Sequence, residues 1–270
     1  MTSFEAVVLG IVQGITEFLP ISSTAHLRVV PALLGWDDPG AAFTAVLQLG
    51  SLAAVIGYFM KDLVAMVSAS WRWLLDRSRP PEQPARDLLY IIVGTIPVGV
   101  AGILLKHKIE GSFRSLWVIA AAQIVVGLAL GIVEKTSRKT RTFDDLTMRD
   151  AVIIGSAQVV ALIPGASRSG TTLLAAMALG LERPAAARFS FLLSVPAVAA
   201  AGIFELPKVL RSHEVGGASL ALGLAAAVVA SYASIAWLLK YLRTRTTIPF
   251  VIYRVALGIL IFALLATGRL

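Results

Sequence analysis

Six continuous apolar stretches of near membrane-spanning length constrain this chain more than any other feature. They cover roughly Phe43–Met60, Leu88–Leu105, Leu116–Val133, Phe189–Phe204, Leu220–Leu239 and Val255–Thr267, the last starting nearer Ile248 despite Pro249. In lipid every backbone N–H and C=O must find a partner inside the structure, so spanning segments are helices or the strands of closed barrels. Barrel strands alternate apolar and polar residues. These runs do not alternate and are rich in Ala, Leu, Val and Gly. The residues are 57% hydrophobic and only 15% charged, with a mean hydropathy of +0.81. Soluble domains are nearer a quarter charged. The chain therefore reads as an all-α polytopic membrane protein with six transmembrane helices. Cysteine is absent, which excludes disulfides and thiolate metal sites. The first residues lack a basic segment and carry Glu5, so they are not read as a cleaved signal peptide.

Two further apolar stretches do not fit a simple crossing. Phe4–Leu34 is broken at Pro20 by LPISST, and Ala151–Leu181 is broken at Pro164 by IPGASRSG. Their first arms are about 14–16 residues, or about 21–24 Å of helix, against a hydrocarbon core about 30 Å thick. Each arm ends in a polar knot, and irregular backbone at membrane depth is tolerated only inside protein or along a wet cavity. Both stretches are expected to be re-entrant helix–loop–helix hairpins. They also expose a repeat: GIVQGITEFLPISST (Gly10–Thr24) matches GSAQVVALIPGASR (Gly155–Arg168) with one residue of slippage. Each half then holds one hairpin and three crossings. Three is odd, so the halves are expected to be inverted within one membrane domain, repeat 1 over about 1–135 and repeat 2 over about 150–270. Such repeats place a site where broken helices meet near the midplane.

Loop charge gives an orientation. Of 24 Lys and Arg residues, this topology puts Lys106, Lys108, Arg114, Lys208, Arg211 and Arg269 on one side and sixteen on the other, Arg254 among them. The basic side is expected to be cytoplasmic, leaving both termini outside. The net charge of +8 then reflects loop bias and anionic lipid rather than nucleic acid. Lys61–Pro84, with Trp71 and Trp73, reads as an interfacial helix and a proline-rich loop.

Ionisable residues inside a membrane are expensive and default to function. The first hairpin holds Glu17, His26 and Arg28; the second holds Arg168 alone before Glu182. Hydroxyls gather with them: Thr16, Ser22, Ser23 and Thr24, then Ser167, Ser169, Thr171 and Thr172. Gln13 lies one helical turn before Glu17 and shares its face. Glu17, Ser23 and His26 offer an acid, a nucleophile and a base within ten residues. After Pro164-Gly165 a helix restarts, and its amides, Arg168 and the hydroxyls form a cradle suited to phosphate. It is not a Walker loop, since no GxxxxGK[ST] occurs. Plainer roles compete with these. The hydroxyls can bond helix carbonyls, Arg168 can serve as counter-ion to Glu17, His26 can be a satisfied core histidine, and Arg28 can snorkel to the outer interface.

On QGITEFLPISSTAHL (Gln13–Leu27), LQLGS (Leu47–Ser51), PGASRSGTT (Pro164–Thr172) and FSFLLSVP (Phe189–Pro196), the chain resembles the undecaprenyl pyrophosphate phosphatases, the bacitracin-resistance type of bacterial membrane. The resemblance covers essentially the whole chain. It implies hydrolysis of the terminal phosphate of undecaprenyl pyrophosphate, recycling carrier lipid for cell-wall synthesis in the bacterial cytoplasmic membrane. It implies a divalent cation, Mg²⁺ or Ca²⁺. Functional residues then fall on Glu17, Ser23 and His26, and on Ser167, Arg168, Ser169 and Thr172. Ser22, Thr24, Gly165 and Thr171 are the further expected substrate contacts. Gln13 stands where many relatives carry Glu, so the metal expectation rests on Glu17 with Gln13 as second support. A lipid-phosphate flippase is the competing class. The small-residue-rich spans also allow a homodimer. The first hairpin dips from outside, so the site is expected to open to the outer face.

Overall fold

The computed structural model describes residues 1–105, 107, 113, 115–212 and 215–268, and among these the only regular elements are helices and one isolated bridge. In order they are α1 (Ser3–Phe18), α2 (Ser23–Leu34), α3 (Gly40–Tyr58), α4 (Met60–Leu75), α5 (Gln83–Leu104), α6 (Leu116–Thr136), α7 (Met148–Val160), α8 (Arg168–Ala178), α9 (Arg183–Ser212), α10 (Gly217–Leu242) and α11 (Ile248–Ala266). Six of them, α3, α5, α6, α9, α10 and α11, are long and apolar enough to cross a membrane. The chain is a multi-pass membrane protein. Several spans outrun their sequence bounds, α9 most of all, because Pro196 and Pro207 sit inside it without ending it. Spanning helices tolerate proline where neighbours satisfy the freed carbonyls. Lys106, Lys108, Arg114 and Arg269, used above for orientation, lie outside the described residues.

The two interrupted stretches become short helix pairs. α1 has 16 residues and α7 has 13. Each is stopped by its proline-bearing loop, and the next helix starts at a serine N-cap. Ser22 and Ser167 both adopt positive φ, 75° and 71°, and each accepts a hydrogen bond from the amide three residues on, Ala25 and Gly170. Non-glycine residues in that region are strained and persist only where their surroundings hold them.

The packing is reciprocal. α1 lies along α10 and α7 along α5; α3 packs on α9, and α6 on α11. Close approach depends on glycine at matching places. A Cβ on Gly10 would stand 2.2 Å from the Gly223 carbonyl, and one on Gly155 2.1 Å from the Gly94 carbonyl. Inside lipid, apolar burial brings little net driving force, so tight packing and polar ties decide which helices associate.

One end of the bundle is tied by charge. Glu134, near the end of α6, accepts from Arg183 Nε at 3.0 Å and Thr247 Oγ1 at 2.8 Å, joining the starts of α9 and α11. Arg141 holds Asp150 at 2.5 Å, and Arg188 reaches Asp62 on α4 at 2.9 Å. Near this end lies the main apolar core, with Phe18, Leu130, Leu173, Met177, Phe189, Phe191 and Leu238. At the other end Ser3 Oγ meets Ser219 Oγ at 3.0 Å, and Phe4 stacks edge-on to Trp36. α4 carries exposed Trp71 on an amphipathic helix, as an interfacial element should.

Candidate functional site

The loops that end α1 and α7 meet each other. Gly165 N–H donates to Thr24 Oγ1 at 3.4 Å, and Ser169 Oγ donates to the Leu19 carbonyl at 3.0 Å. Arg254 of α11 clamps both loops. Its guanidinium is fully buried and donates to the carbonyls of Pro20 at 3.0 Å, Gly165 at 2.9 Å and Ala166 at 3.0 Å. The sequence reading placed Arg254 among cytoplasmic loop charges; the structure corrects that. The signal was present, since Arg254 stands seven positions into an apolar run that begins at Ile248. Replacing it with methionine is expected to strand several buried carbonyls at about 1–3 kcal/mol each. Arg254→Met should therefore lower the melting temperature in detergent and activity together, which differential scanning fluorimetry and turnover will show.

Where the loops meet, Glu17 is the hub. Its Oε1 accepts from Arg168 Nη2 at 2.9 Å. Its Oε2 accepts from Ser23 Oγ at 2.6 Å and from Gln13 Nε2 at 2.8 Å. Glu17 is 5% exposed, so its charge needs a partner. Arg168 supplies it across 151 positions of sequence. Arg168 thus serves as counter-ion to Glu17. Arg168 Nη1 also reaches the Ser190 carbonyl at 3.3 Å, which leaves the guanidinium fixed in place.

The wall of a cavity of about 250 Å³ is formed by Glu17, Ser22, Ser23, Thr24, Ser167 and Arg168, together with Arg28 and apolar residues of α3 and α9. Both restarted helices, α2 and α8, begin at this wall. Their first two amides, those of Ser23 and Thr24 in α2 and of Arg168 and Ser169 in α8, lack intrahelical acceptors and favour an anion, while the serine caps take the third. The remaining expected residues stand behind the wall. Thr171 and Thr172 donate back to the Arg168 carbonyl at 3.1 and 2.7 Å, and Thr172 pairs with Ser190 Oγ at 2.6 Å. Ser169 contacts Ser167 Oγ at 3.2 Å. Thr16 bonds the Val12 carbonyl, the plain helical role.

His26 lies apart from Ser23's hydroxyl bond. Its Nδ1–H donates to the Ser22 carbonyl at 2.7 Å, since a carbonyl only accepts. Nε2 of the neutral ring accepts from Tyr253 O–H at 2.6 Å, and the two rings stack. Tyr253, Arg254 and Ser190 were not singled out from sequence, although Ser190 lies within FSFLLSVP.

The donor set bears on a cation. Among the described residues no three His, Cys, Asp or Glu side chains gather to hold a metal. Yet the Gln13 amide must turn its nitrogen to Glu17, because a carboxylate only accepts. That leaves Gln13 Oε1 fully buried beside Glu17 with no partner. One orphaned carbonyl oxygen and one carboxylate fit part of the shell of an oxygen-loving cation, with phosphate and water completing it.

Residues 6–260 match the family described as bacitracin resistance protein BacA. The undecaprenyl-diphosphatase of Myxococcus xanthus is 54% identical over 271 residues, covering 100% of this chain and 91% of that protein. That of Gloeobacter violaceus is 51% identical, covering 99% and 93%. That of Chlorobium phaeovibrioides is 49% identical, covering 100% and 99%.

Proposed function

This chain belongs to the bacitracin resistance protein BacA family, and on that premise we propose that it hydrolyses undecaprenyl pyrophosphate to undecaprenyl phosphate and inorganic phosphate. The product is the carrier lipid reused in cell-wall synthesis, and removal of the diphosphate underlies resistance to bacitracin. The observation that carries the reading is the Ser23 hydroxyl, 2.6 Å from a carboxylate oxygen whose other oxygen is paired with Arg168, at the wall of one cavity. A lipid-phosphate carrier has use for Arg168 but none for a serine aimed at a base.

Phosphoryl transfer asks for positioning and charge stabilisation. Arg168, Ser167 and the first-turn amides of α2 and α8 take the terminal phosphate. Ser23 Oγ forms a bond to its phosphorus as the bond to the bridging oxygen breaks. The Ser23 proton passes to Glu17, and undecaprenyl phosphate leaves as an anion that needs no proton. Water then attacks the phosphoserine, the bond from phosphorus to Ser23 Oγ breaks as Glu17 returns its proton to that oxygen, and inorganic phosphate departs carrying the protons of the water. A divalent cation, Mg²⁺ or Ca²⁺, would be held by Glu17 and Gln13 Oε1 and supplies further neutralisation of phosphate charge when bound. Arg168 keeps its bonds to Glu17 and the Ser190 carbonyl and offers its remaining N–H donors to the phosphate.

His26 acts as a positioning residue: its Nδ1–H fixes the carbonyl of the strained Ser22 cap, and with it the turn that carries Ser23. His26→Asn, which keeps a donor near that position, is expected to retain far more activity than His26→Ala. Equal loss in both variants, together with a pH–rate limb that disappears, would assign His26 a proton-transfer role instead.

The re-entrant hairpins and the inverted repeat are supported by the short arms of α1 and α7, the paired positive-φ serine caps and the reciprocal packing. The basic loop ends tied by Glu134, Arg141 and Arg188 support a cytoplasmic face there, in the bacterial cytoplasmic membrane with both termini outside. Thr44 and Gln48 of the cavity wall lie in the first half of α3, away from that end, which supports an opening toward the outer face. Exposed apolar residues such as Ile103, Val125, Val229 and Ile252 face lipid, or a second copy in a homodimer. The reading is tested by phosphate release from a prenyl diphosphate by the pure protein in detergent, where no membrane exists to be crossed. Stoichiometric release supports it, and binding without release would leave only the carrier.

A further inference from the structure

The cavity wall carries a second guanidinium that the chemistry above does not use. Arg28 stands on α2 one helical turn after Thr24, so the two share a face, and both line the cavity with Ser23 and Arg168. Helix side chains lean toward the N-terminus, so Arg28 leans back over the turn that begins at Ser22. Arg28 is half-buried, and its Nε meets Asp38 Oδ2 at 3.4 Å with both side chains about 30% exposed. An ion pair that long and that wet is a weak tether, which a phosphate oxygen can displace.

We propose that Arg28 binds the proximal phosphate, the one that stays on the lipid, while Arg168 and the helix starts hold the terminal phosphate. This rests on the diphosphatase reading of the site. The terminal phosphate must reach Ser23 and Arg168. The next phosphate, one anhydride oxygen back, then lies farther along the same cavity, whose wall Arg28 shares with Thr44 and Gln48. Arginine's planar fork suits phosphate oxygens. Inorganic phosphate, by contrast, fills the inner position alone and makes no use of Arg28. Arg28 thereby sets the preference for linked phosphates and the grip on the product, without entering the bond-making step.

The test uses the full chain in detergent with a prenyl diphosphate substrate and two competing anions. Arg28→Gln should raise KM about tenfold or more, with kcat within about threefold of wild type, as expected for loss of a charge-assisted hydrogen bond made equally in ground and transition states. Inhibition by inorganic pyrophosphate should weaken in parallel while inhibition by inorganic phosphate stays unchanged, and Arg28→Lys should fall between. An unchanged KM overturns the proposal, as does an equal loss toward both anions. Wild-type protein that releases no phosphate sinks the diphosphatase reading instead. Pyrophosphate titrated calorimetrically into wild type and Arg28→Gln then still decides the role of Arg28, because equal affinities contradict it.

Discussion

Replacing Arg168 with alanine is expected to reduce phosphate release about a thousandfold or more, the range seen when a guanidinium that stabilises a transferring phosphoryl group is lost. Two effects add. The terminal phosphate loses its fixed cation in a low-dielectric cavity, where such a charge is worth far more than in water. Glu17, 2.9 Å away and buried, also loses its counter-ion. A buried carboxylate stripped of its partner charge destabilises the site that positions Ser23. Arg168→Lys should recover little, because a point charge reproduces neither the bond to Glu17 Oε1 nor the one to the Ser190 carbonyl. Stability separates the two effects. Adding Glu17→Gln to Arg168→Ala should restore part of the lost melting temperature while leaving activity absent, since the pair is then neutral. Arg168→Ala turning over within tenfold of wild type would refute the cradle.

Ser23→Ala and Glu17→Gln are each expected to cost about a hundredfold to ten-thousandfold in kcat. The two groups act in one step, joined by the 2.6 Å hydrogen bond. Their effects should therefore not multiply: the double variant should be no slower than the worse single, as for other residues that act as a unit. Glu17→Gln keeps the volume and a hydrogen-bonding amide, so the protein should fold, which thermal unfolding in detergent checks. Ser23→Ala retaining a tenth of the wild-type rate, or fully multiplicative losses, would remove Ser23 from the chemistry.

The spans were legible because lipid imposes length and continuity directly on sequence. The two interruptions were legible for the same reason: an arm of 16 or 13 residues ending in proline and hydroxyls has few other uses inside a membrane. What stayed hidden depends on distant parts of the fold. Arg254 has the same side chain as a snorkelling loop arginine, and only the arrival of the Pro20 and Gly165 carbonyls makes it a buried clamp. His26 lies three residues after Ser23, which suggests a base for that serine. Its ring turns instead to Tyr253, 227 positions away, and spacing along one helix cannot choose between the two. Arg168 looked like a charge waiting for substrate to neutralise it. Glu17 already does so, and both the carboxylate and the guanidinium were visible in sequence while their contact was not. Thr171 and Thr172 show a further contact that spacing left open: their hydroxyls bond back to the Arg168 carbonyl and hold that turn.

The central claim is that the terminal phosphate passes through Ser23, and stereochemistry at phosphorus tests it most directly. A prenyl diphosphate whose terminal thiophosphate is made chiral with oxygen isotopes would be hydrolysed in isotopically labelled water by the pure protein. Two in-line displacements, first by Ser23 and then by water, give inorganic thiophosphate with overall retention of configuration. Inversion would mean a single direct attack by water, and would contradict the account.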